Sequence, residues 1–383
     1  MAAARYTSQR CLERSSSLLA AAATVTVRSY SSCSTVGSAS NLKVALIGAG
    51  SEAGKNMALC LKQCSLIDEL ALHDLGSAVN RVRKDLSRCN TTCMVSDRDD
   101  VSLDNTLLNA KIVALIVSGS NLSQEASEIE RVVPKILQYC PKAFVALVAR
   151  SVNSLLPMLF ERYKRDGRFE NDRLFGVLNY FSTQASSFAA QRLGIDPNSV
   201  NVPIVGGGCP KTAVPLFSLT TPAATFSPEE LYRLRNAMKR ADEKVAAEKC
   251  GEGASSSTTT EPYSWPMCAG FAAAKFCVSL CKAMKDEAGV VECAFVRSCL
   301  IPGLNYCGAP LRLGPNGIQR HLGLPKVSAD ECRQLEEAIP LIRRDIKVGE
   351  ESMELACMTQ GRRYQLCSCT TIRHDEVILI SLA

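Results

Sequence analysis

The chain has 383 residues, 46% of them apolar, and a formal charge of +6. That length and apolar share support one large or two medium domains around a substantial core, which excludes a fibrous or wholly disordered chain. The charge is too mild to argue for nucleic acid, and the apolar stretches are short and broken by Gly, Pro or charge, so neither a nucleic-acid partner nor membrane insertion is expected.

The first forty residues carry Arg5, Arg10, Arg14 and Arg28 against one acid, Glu13, in a background of Ser, Ala and Thr. This is the composition of a mitochondrial transit peptide, over residues 1–33, with a peptidase site in VRSYSS at 27–32 and a matrix destination. Without this segment the formal charge falls to about +3, and the fold is expected to begin near Asn41.

From Leu42 an apolar strand runs into Gly48-Ala49-Gly50-Ser51, with Gly54 behind it, then a helix and a second strand that closes on His73-Asp74. Glycines at such a turn let a backbone approach a pyrophosphate at a helix N-terminus, and an acid at the end of the next strand suits a ribose hydroxyl. Asp74 therefore favours NAD over NADP, whereas Glu52, inside the turn, would repel phosphates unless it faces water. Two further apolar runs, KIVALIVSGS with Ser118 and Gly119 at its end and AFVALVARSVNS, flank a helical stretch at 124–139 and extend a parallel sheet. The fold class is α/β, a Rossmann doubly wound parallel sheet at 41–153 followed by an α+β substrate domain at 154–357.

That second half reads as long helices with short strands. PEELYRLRNAMKRADEKVAAEK starts at the cap Ser227-Pro228, residues 250–264 are a low-complexity loop, and an apolar helix follows at 269–284. A strand pair around VVECAFVRS precedes a final helix, and 358–383 forms a C-terminal extension. The nineteen cysteines are scattered, mostly in apolar stretches where a thiol behaves as a small hydrophobe. With three histidines, His73, His321 and His374, and no CxxC pair, neither a metal site nor a disulfide framework is expected.

The segments ELALHDL, DLSRCN, CPKA, SVNSLLP, RLFGVLNYF, VPIVGGGCPKTAVPL, GVVECAFVRS, PLRLGPNGIQRHLGLPKVS and EEAIPLIRRDIKVGEE follow one another as in the NAD-dependent malate dehydrogenases of the mitochondrial type. The resemblance spans most of residues 43–351 and implies NAD as cofactor and a homodimer. It also implies a His base held by an Asp, with arginines for the substrate carboxylates. The family's His falls here on Gly208, its Asp and a substrate Arg on Phe181 and Gln184, and a substrate-contacting Asn on Arg150, while Asn153 remains. The arginine-bearing lid after Gly119 is shorter than in the family, with no Arg before Arg131.

No catalytic residue is therefore expected to be retained, and Cys209, without a His or Asp partner, is a poor hydroxyl base. The leading expectation is a mitochondrial protein that has lost catalysis and serves a sensing or structural role. The alternatives are an active malate dehydrogenase whose residues align differently and a scaffold that binds no NAD. Arg150 and Lys211 leave room for a small-molecule anion. Arg83 and Lys84 put like charges on the helix that contributes to the family's subunit contact, which predicts an altered homodimer or a hetero-assembly.

Overall fold

Apolar runs without alternation form strands covered on both faces. KVALI makes β1 (Lys43–Ile47), IVALI makes β4 (Ile112–Ile116) and FVALV makes β5 (Phe144–Val148), each buried at every residue. With β2 (Glu69–His73), β3 (Met94–Val95) and β6 (Leu174–Val177) they form a parallel sheet in the order β3-β2-β1-β4-β5-β6. This is the doubly wound order of dinucleotide-binding sheets, and the point where it reverses lies between β1 and β4. The computed structural model describes residues 41–359 apart from 75–77, 97–101, 120, 169–170, 248–266 and 325, with side chains left out at 78, 241–247 and 353–359. The expected transit peptide, the loop at 250–264 and nearly all of the 358–383 extension lie outside them.

The helices of the first half are α1 (Glu52–Lys62), α2 (Ala78–Leu86), α3 (Leu103–Leu107), α4 (Leu122–Tyr139) and α5 (Val152–Arg165). Ser51 caps α1 by accepting from the Gly54 N–H at 3.0 Å, and Asn121 caps α4 by accepting from Gln124 at 2.9 Å. Lys43 is buried on β1 because its ammonium meets Glu69 at 3.3 Å and donates to the Asn105 carbonyl at 3.1 Å.

The sheet does not stop at the expected boundary of 153. β6 pairs parallel with β5 on one side and antiparallel with β9 (Val291–Arg297) on the other. Beyond β9 lie β10 (Tyr306–Gly314), β7 (Ile204–Gly206) and β8 (Ala213–Pro215), with β11 (Gly317–His321) paired to β10. Helices α6 (Asn179–Leu193), α7 (Pro228–Ala247), α8 (Met267–Met284) and α9 (Ala329–Thr359) complete the second half.

The Ser227 cap of α7 is present as a capping box, Ser227 and Glu230 each accepting from the other's backbone N–H. By length and composition α8 could cross a bilayer, contrary to the expectation that no segment could. Its apolarity serves packing: Ala272, Ala273, Phe276, Cys277 and Leu280 are buried in the core, and a Cβ on Gly270 would lie 2.1 Å from the Ala53 carbonyl oxygen of α1. Burial pushes the Cys277 thiol up to about 12, as expected of a packing cysteine.

The final helix starts on a second capping box. Glu331, 2% exposed, accepts from the Ser328 N–H at 2.8 Å and from the Ser218 N–H and hydroxyl at 3.0 and 2.6 Å, tying α9 to the turn at Phe217–Leu219. Burial raises its pKa, but these hydrogen bonds together outweigh it and hold the carboxyl below its ordinary value. A carboxylate depressed in the folded state stabilises the fold above its unfolded pKa and loses that contribution as pH falls through the folded one. Glu331→Gln is therefore expected to lower stability near pH 7 by about 1–2 kcal/mol and to flatten the loss between neutral and acid pH in urea melts. A variant as acid-sensitive as the parent would refute this.

Candidate functional site

The carboxyl ends of β1, β2 and β4 converge on one crevice. Gly48 follows β1 with φ of 84°, in the left-handed region where glycine is favoured, and a Cβ there would lie 2.4 Å from the Ile116 carbonyl oxygen. Gly54 lets α1 approach β1, since a Cβ on it would sit 2.1 Å from the Gly48 carbonyl oxygen. Ala49 is buried beneath the turn, and Ser51 donates to the Gly48 carbonyl at 2.9 Å. Asp74, at the end of β2, accepts from the Gly50 N–H at 2.5 Å. The glycine turn and the acid singled out in the sequence are thus in direct contact, while Glu52 is exposed and free to face water rather than any phosphate.

Ser118 and Gly119 close the crevice from β4. A Cβ on Gly119 would lie 2.7 Å from the Glu125 nitrogen, because only residues 117–121 separate β4 from α4. His73, Asp74, Ser118, Glu128 and Arg131 line a small cavity here. Burial raises the Glu128 carboxyl above its ordinary value, and the nearby Asp74 charge adds to that rise.

The larger cavity lies at the end of β5. About 400 Å³ in volume, it is lined by Leu122, Arg150, Ser151, Asn153, Ser154 and Cys209 and, from α9, by Arg344, Asp345 and Val348. Asn153 is 2% exposed and knits the wall together. Its Oδ1 accepts from the Gly208 N–H at 2.7 Å, and its amide donates to Thr212 Oγ1 and to Asp345 Oδ2, both at 3.2 Å. Glu125 stands behind Arg150; burial raises its pKa, and the Ser151 hydrogen bond and the arginine charge lower it.

Gly208 is buried, and a Cβ there would lie 2.0 Å from Val152 Cγ1 and 3.0 Å from Leu178 Cδ2. Beside it, Cys209 Sγ lies 2.9 Å from Thr212 Oγ1 and 3.8 Å from the Asn153 amide, and no histidine is among the described residues that line this cavity. Phe181 and Gln184 line a narrower cavity of about 50 Å³ with Pro210, Arg235 and Lys239, while Arg150 lines the larger one. Phe181 is buried edge-on to Tyr180, with ring centroids 5.3 Å apart.

Two expectations need correction. Lys211 is exposed and lines neither cavity, so the second guanidinium on the wall that Arg150 lines is that of Arg344, itself exposed. Arg83 is buried within its own chain, which leaves Lys84 alone of that pair on the surface of α2. His321 is exposed at the end of β11, where burial of its ring nevertheless lowers its pKa below the ordinary value.

Residues 42–176 match the lactate/malate dehydrogenase NAD binding domain, and residues 182–353 match the lactate/malate dehydrogenase alpha/beta C-terminal domain. The chain is 32% identical over 321 residues to the mitochondrial malate dehydrogenases of Homo sapiens and Mus musculus, covering 81% of this chain and 91% of each relative. Among solved structures, the malate dehydrogenase of Cryptosporidium parvum superposes with a TM-score of 0.65 at 20% identity, over 81% of this chain and 99% of that one. The enzyme from Aeropyrum pernix gives 0.63 at 18% identity, over 80% and 98%.

Proposed function

Because the chain belongs to the lactate/malate dehydrogenase family, we propose that it is a malate dehydrogenase-like protein of the mitochondrial matrix that binds NAD without interconverting malate and oxaloacetate, and that it serves as a sensing or structural subunit. The Arg-rich leader and the mitochondrial relatives support the location. NAD is the family's cofactor, and when bound it supplies a hydride acceptor. Its adenosine and pyrophosphate half suits the crevice: the turn at Gly48 to Gly54 is a cradle that side chains would fill, and Asp74 offers a carboxylate to a ribose.

One observation carries the loss of turnover. Where the family has its base there is Gly208, and the space a side chain would need is already held by Val152 and Leu178. Phe181 offers no acid to orient a base. A general base is worth roughly 10²–10⁴-fold, and the arginine at position 184 and the long lid are missing with it. Arg150 and Arg344 can still bind and orient a small anion, but no histidine is among the described residues that line this wall to serve as the family's base.

Titrating the full chain with NADH is expected to give saturable fluorescence changes. Oxaloacetate-dependent NADH oxidation is expected to stay at the background of a matched control, at least about 10⁴-fold below a mitochondrial relative assayed alongside. Turnover within about tenfold of that relative would overturn the reading and restore the active enzyme. Failure to bind NADH, with co-migration with other chains on a native gel, would favour a scaffold that binds no NAD. The crowding of the Asp74 and Glu128 carboxylates at one corner of the crevice is the observation on that side.

A further inference from the structure

The charged groups on the wall of the large cavity are two guanidinium groups and one carboxylate. Arg150 comes from the end of β5, and Arg344 and Asp345 come from α9 on the opposite side. Arg344 reaches the rim with its side chain 73% exposed, and its Nη2 lies 3.4 Å from Asp345 Oδ1. Asp345 is held in place by the Asn153 amide at its other oxygen. Glu125, whose carboxylate interacts with the Arg150 charge, contributes no surface to the cavity.

We propose that this cavity binds a small 2-amino dicarboxylate, its two carboxylates facing Arg150 and Arg344 and its ammonium facing Asp345. The inference rests on the reading that the cleft binds without turnover, and it gives the bound molecule a chemical class. Three features support it. A ligand with two negative groups and one positive group is the charge complement of the groups that line this wall, and complementary charges set specificity more than bulk affinity. The volume of about 400 Å³ holds a four- or five-carbon skeleton with ordered water. At the 2-position an ammonium would give Asp345 a charge-assisted hydrogen bond, a hydroxyl only a neutral one, and a keto oxygen none, so the wall favours the amine over 2-hydroxy and 2-keto acids. Asn153, whose amide and carbonyl are fully engaged with Gly208, Thr212 and Asp345, positions the acid rather than contacting the ligand.

The test is a matched pair of ligands, L-aspartate and L-malate, which differ only in ammonium against hydroxyl at the 2-position. Calorimetric titration of the full chain is expected to show aspartate binding at least about tenfold more tightly than malate. Asp345→Asn should abolish that preference, and Arg344→Gln, at an exposed side chain, should weaken aspartate binding about tenfold while the fold, followed by circular dichroism, is retained. Should Asp345→Asn fail to fold, N-acetyl-L-aspartate tests the same contact from the ligand side, since it keeps both carboxylates, lacks the ammonium, and should bind as weakly as malate. Equal or tighter binding of malate, a preference that survives Asp345→Asn, or no binding of either ligand would overturn the inference. These outcomes leave the absence of oxaloacetate turnover standing, whereas turnover would overturn the earlier reading whatever the ratio of affinities.

Discussion

Placing histidine at position 208 is expected to lower the stability of the protein by about 3 kcal/mol or more and to restore no dehydrogenase activity. The first atom of any side chain there would lie 2.0 Å from Val152 Cγ1, and Val152, the first residue of α5, is fully buried. Forcing extra atoms into a packed core costs about 1–3 kcal/mol. A desolvated imidazole without a partner adds a cost of similar size, about 1–3 kcal/mol. The orienting acid is missing as well, because buried Phe181 occupies its place. Urea unfolding of Gly208→His, Gly208→Ala and the double variant Gly208→His/Val152→Ala separates these contributions. The alanine variant should already be destabilised, and the double variant should recover part of the loss. A histidine variant as stable as the parent would show that the turn can move aside and that the glycine is incidental.

Asn153→Ala is expected to cost about 3 kcal/mol or more, the largest loss from a substitution that leaves the apolar core untouched. The side chain ties two elements together: the Gly208 N–H and Thr212 on the glycine turn, and Asp345 on α9. Removing it leaves a buried N–H and a partly buried carboxylate without their partner, and each such orphan costs about 1–3 kcal/mol. Asn153→Asp retains the acceptor for Gly208 but sets one carboxylate against that of Asp345, so it should be destabilised too, and less so as pH is lowered. Denaturant midpoints across pH check both variants. A loss below about 0.5 kcal/mol for the alanine variant, the ordinary range of a surface substitution, would mean that the turn is held by its backbone alone.

The cofactor half was legible because its information is local. An apolar strand, three glycines and an acid at the end of the next strand fix a βαβ unit within about thirty residues, and the contact between Gly50 and Asp74 is the result. The emptiness of position 208 was equally readable, since glycine has no side chain whatever surrounds it. The wall of the large cavity was not. Asp345 and Arg344 lie on α9, and which face of a helix meets a strand end nearly two hundred residues earlier is decided by packing between elements. A signal existed: Ala338, Ile342, Ile346 and Gly349 form the buried stripe of α9, and Asp345 sits between them, a charge on the apolar side. The same limit explains Arg83, whose burial depends on neighbours that periodicity does not name, and Lys211, which the turn points outward.

β6 bears on kinetics. It is the last strand of the parallel half and, through its ladder with β9, the first of the other, so the two halves share backbone hydrogen bonds. Rotating one half against the other would break that ladder, which removes the hinge by which many two-domain proteins swallow and release a guest. Among the described residues a gate would be a side chain or a short segment such as the connection between β4 and α4. Entry and exit are paced by loop and rotamer motions of picoseconds to microseconds rather than by domain closure over microseconds to milliseconds. Occupancy of such a cleft is expected to follow the surrounding concentration without lag.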